Sequence, residues 1–167
     1  LAARHYEEAL RLNPGLVKAW YNLANLLKSQ GQVEQSEVCY LRALAIEADF
    51  AAAHYNLALL LDAAGRRQEA AERFLRAFEA QPGYYEAAYN LANTLRDLGR
   101  AQEAETYYRR ALELHPEYVE AHNNLALLLA ARGRRAEAIK NLHSALRIAP
   151  GSAQLQRNLS HLLEQTD

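Results

Sequence analysis

Residues 51–84 read AAAHYNLALLLDAAGRRQEAAERFLRAFEAQPGY. Gly65 stands near the middle of this stretch and Pro82-Gly83 near its end. Steps of 34 residues from Gly65 land on Gly31, Gly99 and Gly133. The same step from Pro82 lands on Pro116 and Pro150, and two steps towards the N-terminus on Pro14. Gly15, Gly83 and Gly151 each follow one of these prolines, so all 7 glycines and 4 prolines of the 167-residue chain fall on one grid. A fixed period of roughly 20–50 residues marks a repeat architecture, in which each unit buries its apolar face only by stacking on its neighbours.

Within the quoted stretch, His54, Leu57, Ala58 and Leu61 are spaced as one face of an α-helix. The same columns read Trp20, Leu23, Ala24, Leu27; Ala88, Leu91, Ala92, Leu95; and His122, Leu125, Ala126, Leu129. After the glycine comes a second helical pattern of a small residue, a large one and Ala: Ala70, Phe74, Ala77. It recurs as Ser36, Tyr40, Ala43; Ala104, Tyr108, Ala111; and Ala138, Leu142, Ala145. Small residues let two helices approach, and the large neighbour fills the gap. Each repeat is therefore predicted to be two helices. The glycine is expected to form a left-handed C-cap between them. The proline is expected to close the second helix and open the next, where its missing N–H costs nothing.

The 34-residue period, the Trp20-x-x-Leu23-Ala24 start, the turn glycine, the Ala and aromatic columns and the closing proline resemble the tetratricopeptide repeat (TPR) family over the whole chain. Departures are small: Ala48-Asp49 replaces Pro-Gly, and Asp167 falls where a turn glycine belongs. The resemblance implies an all-α fold, a right-handed α-solenoid superhelix of antiparallel helix pairs whose first helices line a concave groove. With boundaries at 17, 51, 85, 119 and 153, the expected organisation is a second helix of a truncated repeat at 1–16 and four full repeats at 17–50, 51–84, 85–118 and 119–152. A first or capping helix at 153–167 completes it.

On a helical wheel, the second, sixth, ninth and thirteenth residues of each repeat oppose the core face of the first helix. The sixth is Asn every time: Asn22, Asn56, Asn90, Asn124 and Asn158. Asn is a poor helix former that offers donors and an acceptor, as a peptide unit does. Helices about 8–10 Å apart would present one Asn to roughly every third residue of an extended chain. Two readings stand side by side: the row grips a ligand backbone, or it holds adjacent repeats together. The motifs Ala53-His54-Tyr55-Asn56-Leu57-Ala58 and Ala121-His122-Asn123-Asn124-Leu125-Ala126 resemble the superhelix of O-GlcNAc transferases, which implies an Asn ladder gripping peptide backbone. No glycosyltransferase domain is present in this sequence.

The other columns on this face vary. The ninth place holds Asn25, Leu59, Asn93 and Leu127, then His161; the thirteenth Ser29, Ala63, Asp97 and Ala131; the second Lys18, Ala52, Glu86 and Glu120. Odd repeats are more polar and even ones more apolar, as a peptide of mixed character would require. The peptide-binding candidates are thus Asn22, Asn56, Asn90, Asn124, Asn158, Asn25, Leu59, Asn93, Leu127, Lys18 and Asp97. Tyr21, Tyr55 and Tyr89 flank the Asn row. The two-carboxylate clamp of chaperone adaptors needs a Lys in that fifth column and is rejected.

Composition excludes other classes. Hydrophobic residues make up 50% and charged residues 23%, and the formal net charge is −1, which argues against nucleic acid as a partner. No apolar run approaches a membrane span of about 18–20 residues. Cys39 is the single cysteine, and none of the 6 histidines has the spacing of paired ligands on one helix face, so no metal or other cofactor is expected. His54 and His122 are read as packing residues with one solvated ring nitrogen. The Arg66-Arg67, Arg109-Arg110 and Arg134-Arg135 pairs lie among glutamates and read as a solvated helix surface. No catalytic constellation is visible, so the chain is not read as an enzyme.

The expected function is a protein-interaction module binding an extended peptide or partner segment in the groove, as the substrate-recruiting arm of a larger protein. The alternative is a self-assembling scaffold using uncapped solenoid ends or the convex face. No signal peptide is visible and the chain contains no Met. It is expected to be a piece of a longer or processed chain, cytoplasmic, with self-association through its uncapped ends open to it.

Overall fold

The computed structural model describes residues 2–164, which form ten α-helices and no strand. Leu1 and residues 165–167, at the outer edges of the expected 1–16 and 153–167 elements, lie outside the described residues. The chain divides into two compact units, one ending at Pro82 and one starting at Gly83. The first holds α1 (Ala2–Leu12), α2 (Val17–Ser29), α3 (Val33–Ile46), α4 (Ala51–Ala63) and α5 (Arg67–Ala80). There α2 packs on α3 and α4 on α5, with α1 against α2 and α3 against α4. The second holds α6 (Tyr85–Asp97), α7 (Ala101–Leu114), α8 (Val119–Ala131), α9 (Arg135–Ile148) and α10 (Ala153–Glu164); there α6 packs on α7 and α8 on α9, with α7 against α8 and the unpaired α10 last, against α9. No helix among the described residues is long and apolar enough to cross a membrane.

The turn inside each pair is set by glycine. Gly31, Gly65, Gly99 and Gly133 have φ of 75°, 77°, 76° and 75°, in the left-handed region that side chains avoid. At Gly65 the N–H donates to the Asp62 carbonyl and the next N–H, of Arg66, to the Leu61 carbonyl, each at 2.9 Å. This paired closure satisfies the last carbonyls of α4. A Cβ at any of the four would meet no atom within 4 Å, so backbone conformation and not crowding demands the glycine.

The joints between pairs obey a different rule. Their glycines have no positive φ, which explains why Ala48-Asp49 can replace Pro-Gly. The prolines do not open the following helices as expected: α6 starts at Tyr85, three residues past Pro82, and the other joints follow suit. What ties the joint is a side chain in the fourth column. Trp20 Nε1 donates to the Pro14 carbonyl at 2.9 Å and Gln156 Nε2 to the Pro150 carbonyl at 2.9 Å. His54 Nε2 lies 2.8 Å from the Ala48 carbonyl and His122 Nε2 3.0 Å from that of Pro116. These histidines therefore latch a joint six residues upstream, and His54 is buried outright instead of keeping a solvated nitrogen.

The core follows the predicted columns. Tyr40, Phe74, Tyr108 and Leu142 of the second helices are at most 1% exposed, as are Leu57, Leu125 and Leu129 of the first. Each such burial is worth about 1.5–3 kcal/mol. The small column lets the paired helices touch; Ser36 fits it because its hydroxyl donates to the Ala24 carbonyl at 2.8 Å.

Candidate functional site

The first helix of each pair keeps one face free of its partner. On α2 this face carries exposed Lys18, Asn22 and Ser29 and half-buried Asn25; on α4 it carries half-buried Asn56 and Leu59. In the second unit, Asn90 and Asn93 are half-buried and Asp97 exposed on α6. Asn124 is half-buried and Leu127 is 42% exposed on α8, and Asn158 is half-buried on α10.

The Asn row is hydrogen-bonded within each unit by one rule. Asn56 Nδ2 donates to Tyr21 Oη at 2.9 Å and to the Ala52 carbonyl at 3.1 Å. Asn124 Nδ2 donates to Tyr89 Oη at 3.0 Å and Asn93 Oδ1 at 2.9 Å, and Asn158 Nδ2 to Asn123 Oδ1 at 2.8 Å. In each case the sixth-column amide reaches a fifth-column oxygen 35 residues earlier. Both amide protons of Asn56 and Asn124 are thereby used. Their carbonyl oxygens each accept one further bond, from Lys28 Nζ and from Asn123 Nδ2, both at 3.1 Å, and keep one lone pair. Tyr21 and Tyr89 accept in these bonds, so each phenol still has a proton to give. Asn22 makes no side-chain hydrogen bond among the described residues and keeps its full capacity.

The ninth-column asparagines answer to the interior. Tyr40 Oη donates to Asn25 Oδ1 at 2.6 Å, and Tyr108 Oη donates to Asn93 Oδ1. Both rings are completely buried, and burial raises the Tyr40 phenol far above its usual range and pushes Tyr108 up to about 12. Each hydroxyl stays protonated and needs an acceptor. Where the ninth residue is Leu59, the facing ring column holds Phe74; where it is Leu127, it holds Leu142. The alternation of this face thus has an internal cause: a buried hydroxyl asks for an amide and a buried hydrocarbon does not.

Charge on the face is sparse. Arg96 pairs with the adjacent Asp97 at 2.8 Å. Lys28, its counterpart on α2, is half-buried, and burial lowers its pKa. In the second unit, a cavity of about 240 Å³ opens on the same face, lined by Tyr89, Glu120, Asn123, Asn124, Gln154 and Leu155 among others. Among the described residues no three His, Cys, Asp or Glu side chains gather as metal ligands.

Sequence reasoning found the Asn row but not its partners. Tyr21, Tyr89 and Asn123 were legible through the step of 35, and the Tyr40–Asn25 and Tyr108–Asn93 pairs through a repeated spacing of 15. Lys28 carried no repeated signal, because its column reads Lys28, Asp62, Arg96, Ala130.

A family model described as tetratricopeptide repeat matches residues 55–110 and 89–153, and a second with the same description matches residues 17–50. The crystal structure of YrrB, a TPR protein with an unusual peptide-binding site, has a TM-score of 0.86 at 26% identity, covering 97% of this chain and 84% of that one. The crystal structure of MamA gives a TM-score of 0.83 at 22% identity, over 91% of this chain and 89% of that one, a likeness of fold. By sequence, an uncharacterised protein of Methanocaldococcus jannaschii is 37% identical over 46 residues, 28% of this chain. The chain spans about half of that relative's length, 54%.

Proposed function

We propose that this chain, which belongs to the tetratricopeptide repeat family, is a protein-interaction module that holds an extended peptide or partner segment along the free face of its first helices. In this reading the repeats run 17–50, 51–84, 85–118 and 119–152, and the chemistry is binding without catalysis. The observation that carries it is the unspent hydrogen-bonding capacity of that face: the whole Asn22 amide, the Tyr21 and Tyr89 phenol protons, and one lone pair each on Asn56 and Asn124. These complement a backbone that offers one N–H and one C=O per residue. Leu59 and exposed Leu127 supply apolar contact between the polar places. The likeness to YrrB, with its unusual peptide-binding site, supports the same use. The likeness of the Asn motifs to O-GlcNAc transferase superhelices extends it to a substrate-recruiting arm of a larger protein.

The test is a peptide array of extended sequences probed with the labelled chain. Asn22→Ala removes no internal bond, so it should weaken capture several-fold while leaving the melting curve in place. Binders indifferent to both Asn22→Ala and Leu127→Ala would sink the reading. A second reading, a self-assembling scaffold, draws on α3, where Val38 is 54%, Leu41 40% and Ile46 46% exposed. Molecular mass by light scattering that rises with concentration, and stops rising in Val38→Lys, would favour it.

A further inference from the structure

The twelfth place of the grid holds a cation in the first full repeat of each unit, Lys28 on α2 and Arg96 on α6. The two are treated differently. Asp97 stands beside Arg96, with 2.8 Å between guanidinium nitrogen and carboxylate oxygen, and neutralises it. In the first unit that neighbouring place holds Ser29, whose hydroxyl turns away to the Leu26 carbonyl at 2.7 Å. Lys28 forms no ion pair with any described residue. Its one bond goes to Asn56 Oδ1 at 3.1 Å. Asp62, in the twelfth place of the next repeat, is exposed and makes no ion pair either, and Lys18 adds a further positive charge to the face of α2. A half-buried ammonium with only an amide oxygen for company has lost water without gaining a counter-charge.

The other end of the same amide holds Tyr21, since Asn56 Nδ2 donates to its hydroxyl at 2.9 Å. One side-chain amide therefore fixes two groups whose unspent valences are donors, two ammonium protons and one phenol proton. Such a set suits an anion with two acceptor oxygens.

We propose that the Lys28–Asn56–Tyr21 cluster seats an acidic side chain, Asp or Glu, of the bound segment, in the role that Asp97 plays for Arg96 in the second unit. This rests on the peptide-binding reading and narrows it: the stretch of ligand over α2 and α4 carries a carboxylate. The anion bonds to the ammonium and to the phenol, and Asn56 holds both in place.

The test uses three probes: acetyl-Ala-Ala-Glu-Ala-Ala-amide, its Gln counterpart, and the Gln peptide with a free C-terminal carboxylate. Binding is followed by NMR, through the Lys28 side-chain signals and the backbone amides of α2 and α4. The Glu peptide should bind about tenfold more tightly than the blocked Gln peptide, as expected for charge-assisted bonds. That preference should vanish in Lys28→Met. It should also vanish in Ser29→Asp, which gives the first unit its own carboxylate as Asp97 does the second, and rising salt should erode it. A free C-terminus as effective as the Glu side chain would overturn the assignment to a side chain. Equal binding of the two blocked peptides would overturn the proposal and leave the peptide-binding face intact. Failure of all three to shift any α2 or α4 signal would overturn both.

Discussion

The first and third full repeats differ from the second and fourth in the same three ways. The ninth place holds Asn25 and Asn93 in one class and Leu59 and Leu127 in the other, matched to Tyr40 and Tyr108 against Phe74 and Leu142. On the second helices, Glu37 and Glu105 alternate with Ala71 and Ile139, and each glutamate pairs with the arginine just before the next second helix, Arg66 or Arg134. The joint latch is Trp20 or absent at Ala88 in one class, and His54 or His122 in the other. The pattern therefore recurs every 68 residues, and each of the two compact units holds two helix pairs, α2–α3 with α4–α5 and α6–α7 with α8–α9. A polar residue on the free face is not by that fact a ligand residue; it can be the visible end of a satisfied interior.

The largest effect is expected where the interior demand is doubled. Asn93 accepts from both Tyr108 and Asn124, so Asn93→Leu strands a completely buried hydroxyl and loosens the clip between repeats. The expected loss is about 3 kcal/mol, read as a lower urea midpoint of helical circular dichroism. Asn25 serves only Tyr40, and Asn25→Leu should cost about 2 kcal/mol. Adding Tyr40→Phe should restore most of that, because the double variant reproduces the Leu59–Phe74 pairing of the next repeat. If the double variant is as unstable as the single one, the coupling between ring and ninth place is wrong. Asn93→Leu with Tyr108→Phe should recover only part, since Asn124 still lacks its acceptor.

The second difference sets the next prediction. Glu105 is 5% exposed and receives Arg109, Arg132 and Arg134. Burial pushes its carboxyl up, but the guanidinium bonds prevail and hold it below the usual value. Glu105→Ala leaves Arg132 without a carboxylate among the described residues and Arg109 and Arg134 sharing Glu137, and because those arginines remain 30–44% exposed the loss should stay at about 2 kcal/mol. Its folded pKa is depressed, so this contribution is present at neutral pH and fades as acidification passes the unfolded value of 4.5 and goes below it. Glu37 meets only Arg66, which is 41% exposed, and Glu37→Ala should shift the same midpoint much less. Equal shifts would show that the network around Glu105 adds nothing to a single surface pair.

Much of this was legible in the chain. Helix periodicity, turn glycines and core columns are local properties, and a 34-residue period repeats each of them four times, so Gly65 or Leu57 could be assigned from sequence. The Asn row was legible for the same reason. What sequence could not weigh was which of its bonds point inwards. That depends on whether Asn56 Nδ2 turns to Tyr21 or to solvent, a matter of side-chain torsion with no period of its own. The joints were misjudged because proline was credited with starting helices, when the fourth-column donors Trp20, His54, His122 and Gln156 hold the joint carbonyl. Those four share no size, charge or hydropathy, only a ring or amide N–H at the right reach.

The third difference puts a buried titratable group into one joint, the His54 latch of the first unit. His54 is 6% exposed and bonds the Ala48 carbonyl through Nε2, while its Nδ1 is buried without a partner. Burial lowers its pKa below the usual 6.5, against the pull of the Ala48 bond, and Arg73 and Arg76 push the same way as burial. The folded state then binds fewer protons than the unfolded chain below pH 6.5, so stability rises with pH across the window between the folded value and 6.5. Acidification through that window should weaken the first unit, by less than either substitution class above. His54→Gln keeps an N–H donor for the Ala48 carbonyl, as Gln156 does at Pro150, but cannot titrate. The variant should match the parent at pH 7.5 and lose less stability than the parent between pH 6.5 and 5.5. Hydrogen exchange of the α4 and α5 amides would localise the difference, and parallel pH profiles for the two proteins would show that His54 binds its proton equally in the folded and unfolded states, which would overturn the depressed value.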